Sequence, residues 1–316
     1  MIIVAVHGRI PAPPTGEVTF RIPSGTTFQA VVDTLANREV IARPVLFKIY
    51  GRLRLMDRSV KAGTYRLPRG ARFGEVHAVL VEGRVVTFPV TIPEGLTIRE
   101  MAGRIAAAAG SDSVAVVQAL KGDALHLRWE VPGPGLEGYL FPDTYRFAEG
   151  VGTERVVAAM IARYHDHWTP ERRERLAASG MSEREVVTLA SIIQAEAVHT
   201  WEMRTISSVF HNRLRIGMRL QADPTVHYAL GGRRRRTLFA AIDSVADHPY
   251  NTYTQPGLPP GPICAPGAKA LDAALGPEDT DYLYFVAGSD YQHIFSRSLD
   301  EHNAAIRRVR ADSNGG

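Results

Sequence analysis

The strongest constraint on the fold of this chain is a helix that is specified both at its start and along its buried face. Ser182 followed by Glu185 is the sequence pattern of a capping box. Apolar residues then recur at helical spacing, namely Val186, Leu189, Ile192, Ile193 and Ala197. Glu196 falls on the same stripe. We therefore predict a helix from Ser182 to about Ala197 that carries an acid on its apolar side.

The position of Glu196 suggests a chemical role. A carboxyl group on an apolar stripe is at least partly desolvated, which disfavours its charged form and raises its pKa. An acid that is still protonated near neutral pH can donate a proton to a leaving group. The alternative is a glutamate that reaches water or pairs with a cation such as Arg204. The helix pattern alone favours that structural interpretation, since ion pairs also place acids at such positions.

Polar and aromatic segments follow this helix. A second amphipathic helix is predicted to run to about Arg215 on the spacing of Ile206, Val209, Phe210 and Leu214. Glu202 lies at its start, where a capping or helix-dipole role is expected. Residues 218–226 and 250–262 then combine amides, acids and tyrosines with Pro/Gly turns. Such a mixture suits a groove that binds sugars, because sugar rings present both apolar faces and hydroxyls.

Five motifs occur in one order along the chain: residues 136–145, 189–197, 208–214, 220–226 and 250–262. With these motifs the chain resembles the YceG-like endolytic murein transglycosylases, often called MltG. In that family the position of Gln194 is often a glutamate, whereas the position of Glu196 is an acid. Gln194 cannot exchange a proton, so the difference favours Glu196 as the catalytic acid.

The resemblance implies a lyase that cleaves peptidoglycan glycan strands between MurNAc and GlcNAc and leaves 1,6-anhydroMurNAc ends, with Glu196 acting first as acid and then as base. The expected substrate-binding residues are Gln221, Asp223, Asn251, Tyr253, Glu137 and Tyr139. The alternatives are a glycan hydrolase that uses Glu196 and Asp223 as its two carboxyl groups, and a non-catalytic cell-wall-binding protein.

A repeat organises the first half of the chain. Ile22-Pro23-Ser24-Gly25 and Ile92-Pro93-Glu94-Gly95 each follow a β-rich run and precede a predicted helix capped by Thr27 or Thr97. We predict an α+β fold with three parts. An accessory module at 17–84 is followed by a second repeat and connection at 85–148, and then by a mainly helical catalytic domain at 149–312 that contains a short β-hairpin. A stub at 1–16 precedes these parts and a tail at 313–316 follows them. The hairpin would join strands at 282–286 and 293–296 through a turn at 288–290, before a final helix from about Leu299 to Arg310. The resemblance implies that module 17–84 is LysM-like and binds glycans, although a simple spacer fits the residues equally well.

Composition excludes several other classes of function. A single cysteine, Cys264, allows no intramolecular disulfide, and a structural role suits it better than a nucleophilic one. The formal charge is only +4, and the one dense basic run, Arg233 to Arg236, is expected to be a solvated loop. No nucleic-acid-binding motif, no metal-ligand spacing and no phosphate loop occurs, so we expect no nucleic-acid partner, no metal and no cofactor.

The apolar start, Met1 to Val6, is far shorter than the roughly 20 residues that span a bilayer. The resemblance implies a single-pass anchor that holds the enzyme on the periplasmic, outer face of the bacterial cytoplasmic membrane. We therefore expect this stub to be the remainder of a removed anchor, or the start to be misplaced. The expected partners are peptidoglycan glycan strands and cell-wall synthesis proteins.

Overall fold

The protein, described here from a computed structural model, has an α+β fold that is rich in helices. The structure describes residues 16–122, 124–232, 239–288 and 292–314. The predicted stub before Gly16, the Arg233 to Arg236 run, the turn residues Ser289 and Asp290 and the last two residues of the tail lie outside these ranges. The chain forms two compact units, the first of which ends at Pro89 and also includes Arg146–Val151.

The first unit alternates strands and helices. Its elements are β1 (Glu17–Ile22), α1 (Phe28–Asn37), α2 (Pro44–Leu53), a 3₁₀ turn at Met56–Arg58, β2 (Gly63–Pro68) and α3 (Phe73–Glu82). Strands β1 and β2 pair antiparallel, with Phe20 opposite Tyr65. The helix α1 begins at the predicted cap, because the Thr27 side chain accepts a hydrogen bond from the Ala30 N–H.

Alternation along the two strands builds the core of the first unit. Phe20, Ile22, Tyr65 and Leu67 are all buried, and helices α1, α2 and α3 add Leu35, Phe47 and Leu80 to the same cluster. Tyr65 keeps its hydroxyl satisfied inside this core by donating to the Lys61 carbonyl over 2.6 Å. The unit therefore has an apolar core of its own.

The second copy of the repeat also forms a strand followed by a capped helix. Strand β3 (Thr87–Thr91) precedes helix α4 (Ile98–Ala109), and Thr97 and Glu100 form a complete capping box at the start of that helix. The strand partners differ between the copies, since β1 pairs with β2 whereas β3 pairs with β4 (Thr144–Ala148). The repeat is thus local, and each copy is completed by a different later strand.

Helices make up most of the second unit. After α4 they are α5 (Ser113–Ala119), α6 (Leu125–Arg128), α7 (Thr153–His167), α8 (Pro170–Ser179), α9 (Glu183–Glu196), α10 (Met203–Arg215), α11 (Asp223–Ala229), α12 (Phe239–Ser244), α13 (Ala268–Leu275) and α14 (Leu299–Asn314). The predicted helices at 182–197 and up to Arg215 are confirmed as α9 and α10. The final helix begins where predicted and ends four residues later, at Asn314.

A hairpin of β5 (Tyr284–Ala287) and β6 (His293–Ser296) forms as predicted, with Phe285 opposite Phe295. Hydrogen bonds link its second strand, β6, to the segment that directly follows α9. The Glu202 carboxylate accepts hydrogen bonds from the His293 backbone N–H at 2.7 Å and lies 3.0 Å from its Nδ1, and both side chains are buried. The capping role expected for Glu202 is therefore wrong, because its side chain makes no cap hydrogen bond on α10. The alternative helix-dipole role stays a prediction, since Glu202 lies at the start of that helix.

We expect Ser182→Ala to lower the free energy of unfolding by about 1 kcal/mol, because it removes the side-chain cap of α9 and the hydrogen bond from the Ser182 hydroxyl to the Glu185 carboxylate. Urea denaturation measures this change. The matched control is Ser113→Ala, an exposed serine one residue inside α5, whose cap is Asp112. Equal stability of the two variants would contradict the assignment of the cap.

Candidate active site

One large pocket of about 730 Å³ opens in the second unit, between α4, α9, α11 and the loops that follow α5 and α12. Its wall is chemically mixed. It includes the carboxyl-bearing residues Glu137, Glu196 and Asp223, the aromatic residues Tyr228 and Tyr250, the histidines His227 and His248, and the cations Arg99 and Lys121. Acids, ring faces and hydrogen-bonding groups are therefore concentrated in a single concave site.

Glu196 is the last residue of α9 and lies at the pocket wall. The helix behind it is fully buried from Val186 to Ile193, so its position is determined by close packing rather than by a flexible loop. The alternative partner Arg204 is engaged elsewhere, since its Nε donates to the Gly276 carbonyl over 3.0 Å. The structure thus holds Glu196 rigidly at the wall of the pocket.

The surroundings of Glu196 favour its protonated form. Burial and the nearby negative charge of Asp223 raise its pKa to about 8, against a smaller opposing effect of the Arg213 guanidinium. The carboxyl end of a helix carries partial negative charge, which also disfavours a carboxylate there. Glu196 can therefore hold a proton near neutral pH, as the general acid of a bond cleavage must.

Asp223 is held by a tyrosine. It is the first residue of α11, and the Tyr253 hydroxyl donates to its Oδ1 over 2.5 Å. The hydrogen bond fixes one carboxylate oxygen of Asp223 on the same pocket wall as Glu196. Two carboxyl groups with different surroundings thus face one cavity, since the pKa of Glu196 is raised and Asp223 accepts a hydrogen bond from Tyr253.

Asn251 and Thr252 hold the loop that carries Tyr253 through hydrogen bonds. The Asn251 amide donates to the carbonyls of Ile242 and Val245, both at 3.0 Å, and its side-chain oxygen accepts from the Tyr253 N–H. Thr252 shares a hydrogen bond of 2.9 Å with Thr225. Asn251 is completely buried, so the structure does not bring it to the pocket wall as expected. Its donors and its acceptor are used to shape the loop that carries Tyr253.

Two other predicted binding residues also lie off the pocket wall. Tyr139 is fully buried, and its hydroxyl donates to the Gly133 carbonyl over 3.0 Å. Gln221 is exposed and adopts a left-handed backbone conformation with φ of 48°, while its N–H donates to the Thr252 carbonyl. Of the predicted residues, Glu196, Asp223 and Glu137 therefore line the pocket, and Tyr253 reaches it through Asp223.

Glu137 is a second acid with a perturbed pKa in this pocket. Its carboxylate accepts a hydrogen bond of 3.0 Å from the Ile98 N–H, at the first turn of α4. Burial nevertheless raises its pKa to about 8, with a further contribution from the charge of Glu100, because the hydrogen bond only partly offsets the desolvation. A protonated Glu137 can offer a hydroxyl donor to a bound ligand.

The loop that closes the pocket is attached directly to α9. The Ile263 N–H donates to the Ser191 hydroxyl at 3.0 Å, and the Gly267 N–H donates to the Gln194 side-chain oxygen at 3.0 Å. Cys264 is buried, and its thiol donates to the Ser191 carbonyl, which agrees with the structural role expected from the sequence. Gln194 therefore anchors this loop through its side-chain oxygen. Its amide group cannot exchange a proton, so the anchoring role does not depend on one.

The family of the protein is established by comparison with known proteins. Residues 20–308 match the YceG-like family. The chain belongs to the YceG-like family. An endolytic murein transglycosylase of Bacillus subtilis is 33% identical over 94% of this chain and 86% of its own length. An endolytic murein transglycosylase of Streptococcus pneumoniae is 29% identical over 92% of this chain but only 58% of its own length.

A solved structure agrees with this assignment. The crystal structure of a yceG-like protein from Listeria monocytogenes superposes with a TM-score of 0.63 at 32% sequence identity, and covers 92% of this chain and all of that chain. The similarity therefore extends over both units of this YceG-like chain.

Arg213 is a buried cation that influences the pKa of Glu196 without lining the pocket, and the sequence analysis did not single it out. Its Nε donates to the Leu283 carbonyl at 2.7 Å and its Nη1 donates to the Leu220 carbonyl at 2.5 Å, so the buried cation ties the hairpin to the segment before Asp223. The signal was present in the sequence. Arg213 lies three residues after Phe210 and four after Val209, on the apolar face of its helix, as Glu196 does on its own helix.

Within residues 16–122, 124–232, 239–288 and 292–314, no group of three or more His, Cys, Asp or Glu side chains is arranged to hold a metal ion. In the same part of the chain, no helix combines the length and the apolar character needed to cross a bilayer.

The raised pKa of Glu196 predicts a pH-dependent effect of Glu196→Gln on stability. Between the ordinary pKa near 4.5 and the folded value of about 8, the unfolded state loses the proton while the folded state keeps it. The folded wild type therefore loses stability as pH rises through this window, whereas the amide does not. We expect the variant to gain at least about 1 kcal/mol over wild type between pH 5 and pH 8.

Urea denaturation at several pH values in that window measures this difference. Glu174→Gln, on the exposed surface of α8, is the matched control and should follow wild type at every pH. A Glu196→Gln difference that stays constant with pH would show that the folded protein does not hold the proton.

Proposed function

We propose that this YceG-like protein is an endolytic murein transglycosylase that cleaves the bond between MurNAc and GlcNAc within glycan strands and leaves 1,6-anhydroMurNAc ends. The observation that carries the proposal is Glu196, an acid with a pKa of about 8 at the wall of the large pocket. Relatives over most of the chain are named for this enzyme type, which supports an enzyme of that class acting on peptidoglycan.

A single carboxyl group is sufficient for this reaction. Glu196 gives its proton to the glycosidic oxygen as the bond from that oxygen to C1 of MurNAc breaks. The resulting carboxylate then accepts the proton of the C6 hydroxyl of the same sugar while the C6 oxygen forms a bond to C1. The acid is regenerated and no water is consumed. The nucleophile belongs to the substrate, so its high effective concentration replaces a second carboxylate.

Asp223 has a supporting electrostatic role in this proposal. Glycoside cleavage passes through a transition state with positive charge at C1 and the ring oxygen. A carboxylate held by the Tyr253 hydroxyl in the same pocket stabilises that charge. Its proximity also raises the pKa of Glu196, so the same residue prepares the acid and stabilises the charge that the acid helps to create.

Substrate binding is assigned to the remaining groups of the pocket. Glu137 lines it directly and Tyr253 reaches it through Asp223, while Tyr228 and Tyr250 supply ring faces whose centroids are 4.8 Å apart. Gln221 is proposed to contact a strand beyond the pocket, where its side chain is exposed. Asn251 and Tyr139 support the site through the buried hydrogen bonds that shape it.

The first unit is proposed as an accessory, LysM-like glycan-binding module with the boundaries 17–84. Its separate core supports this assignment, because such a unit can bind a strand without contributing to the chemistry. We further propose that the protein works at the outer face of the cytoplasmic membrane of a bacterium, next to the proteins that synthesise the cell wall.

The competing function is a hydrolase in which Asp223 activates water or acts as nucleophile. The observation in its favour is the presence of both carboxyl groups on one pocket wall. The two reactions leave different ends, since only the transglycosylase forms the 1,6-anhydro ring. Mass analysis of digested peptidoglycan therefore decides between them.

We expect Glu196→Gln to reduce cleavage of purified peptidoglycan by at least about 10²- to 10⁴-fold, because the amide has nearly the same shape but cannot donate and recover a proton. Wild-type turnover should fall as pH rises through about 8, where Glu196 loses its proton. Release of anhydro-ended fragments measured by mass spectrometry tests both points. Glu174→Gln should retain wild-type activity, and near-wild-type activity of Glu196→Gln would refute the assignment of the acid.

Asp223→Asn separates the two reactions. In the transglycosylase we expect turnover to fall by about 10- to 100-fold with unchanged anhydro products, because a stabilising charge is lost while the acid and the nucleophile remain. In the hydrolase the same change removes an obligatory group, and the products carry reducing ends. Tyr253→Phe is the companion variant, which leaves the Asp223 charge in place and removes only its hydrogen bond, so its loss should be smaller.

A further inference from the structure

Helix α2 of the first unit is apolar on two opposite faces. One face packs into the core through Phe47 and Gly51, which are buried. The opposite face exposes four large apolar side chains, with exposed fractions of 71% for Val45, 49% for Leu46, 53% for Ile49 and 80% for Leu53. At about 100° per residue, these four lie within roughly 100° of one another on the helix surface. We call them the α2 stripe.

The segment that follows α2 also exposes a large apolar side chain. Leu55 is 62% exposed and adopts a left-handed backbone conformation with φ of 54°, which a leucine enters only at a cost in free energy. The exposed apolar surface therefore continues beyond the end of the helix. Such a contiguous patch on a protein surface marks an interaction site rather than ordinary surface variation.

The charges beside the α2 stripe are almost all positive. Residues 43–58 contain five cations, which are Arg43, Lys48, Arg52, Arg54 and Arg58, and a single acid, Asp57. The bias extends over the unit, because residues 16–89 hold 12 lysines and arginines against 6 acids, a net charge of +6 in a chain whose total is +4. The occupant of the stripe is therefore apolar in its interior and negatively charged at its surface.

We propose that the α2 stripe binds the surface of a membrane that contains anionic phospholipids. The aliphatic side chains enter the boundary between headgroups and acyl chains, while the flanking arginines and Lys48 pair with lipid phosphates. The helix would lie in the plane of the membrane, because its inner face remains bound to the core through Phe47. This is peripheral attachment by a folded helix, and it is independent of the catalytic proposal.

Two other occupants fit the stripe less well. A glycan strand is recognised by aromatic ring faces combined with amides and acids, whereas the four side chains of the stripe are aliphatic. A second copy of this chain would bring two sets of five cations together with one acid each, and like charges in close contact oppose association. Of these three occupants, an anionic lipid surface is the one that satisfies both the aliphatic stripe and its positive border.

The test uses the full chain and co-sedimentation with two kinds of vesicle, one of phosphatidylcholine alone and one of phosphatidylcholine mixed with phosphatidylglycerol. We expect binding to the phosphatidylglycerol vesicles that weakens with salt, and much weaker binding to the neutral ones. The triple variant Leu46→Ser, Ile49→Ser, Leu53→Ser should weaken binding at least about tenfold, because it removes most of the apolar contact. Arg43→Gln with Arg52→Gln should reduce the advantage of the anionic vesicles.

The matched control is Val114→Ser, Leu127→Ser, Ile216→Ser, which changes three exposed apolar residues of the second unit and should bind as wild type does. The melting temperature of the triple stripe variant should fall by no more than a few degrees, because its substitutions are on the surface and serine lowers helix propensity only slightly. A much larger fall would mean that the stripe is covered within the chain, and the proposal would then be rejected.

Two further results would also overturn the proposal, namely the absence of vesicle binding by wild type and full vesicle binding by the stripe variant. If wild type did not bind vesicles and the stripe variant selectively lost binding to purified peptidoglycan, the stripe would be a glycan contact. Turnover is not measured in any of these experiments, so failure of the membrane proposal and failure of the transglycosylase assignment remain distinguishable.

Discussion

The site depends on the burial of one carboxyl group at the end of a tightly packed helix. Because α9 is buried from Val186 to Ile193, Glu196 cannot move away from Asp223 or turn fully into water without disturbing the core. The resulting desolvation and repulsion keep a proton on the acid at a pH where most carboxyl groups are charged. The folding energy of the second unit therefore maintains an electrostatic arrangement that is unfavourable by itself and that the proposed general acid requires.

Much of the surrounding structure can be understood as support for that arrangement. Ser191 and Gln194, on the last turns of α9, hold the loop that contains Ile263 and Gly267 against the pocket. Asn251 shapes the loop that carries Tyr253 on the other side. The polar residues near the pocket thus divide into a few that face the cavity and a larger number whose hydrogen bonds are used within the protein.

That division explains which parts of the site could be predicted from the sequence. Helix α9, its capping box and the acid on its apolar stripe follow from local spacing, and so does the capped helix after each copy of the repeat. The roles of Asn251 and Tyr139 could not be predicted, because an amide or a phenol in a loop has the same composition whether it faces a ligand or a buried carbonyl. The capping role expected for Glu202 was wrong for a related reason, since its partner His293 is 91 residues away in sequence.

The Glu202 and His293 pair has a consequence for the order in which the protein matures. The turn directly after α9 is completed by strand β6, in which His293 is synthesised 91 residues after Glu202. A chain that emerges from its N-terminus can form the first unit early, but the carboxylate of Glu202 has no partner until β6 arrives. The surroundings of α9 are therefore complete only after β6 has been synthesised, and a chain that stopped before β6 would keep α9 without this contact.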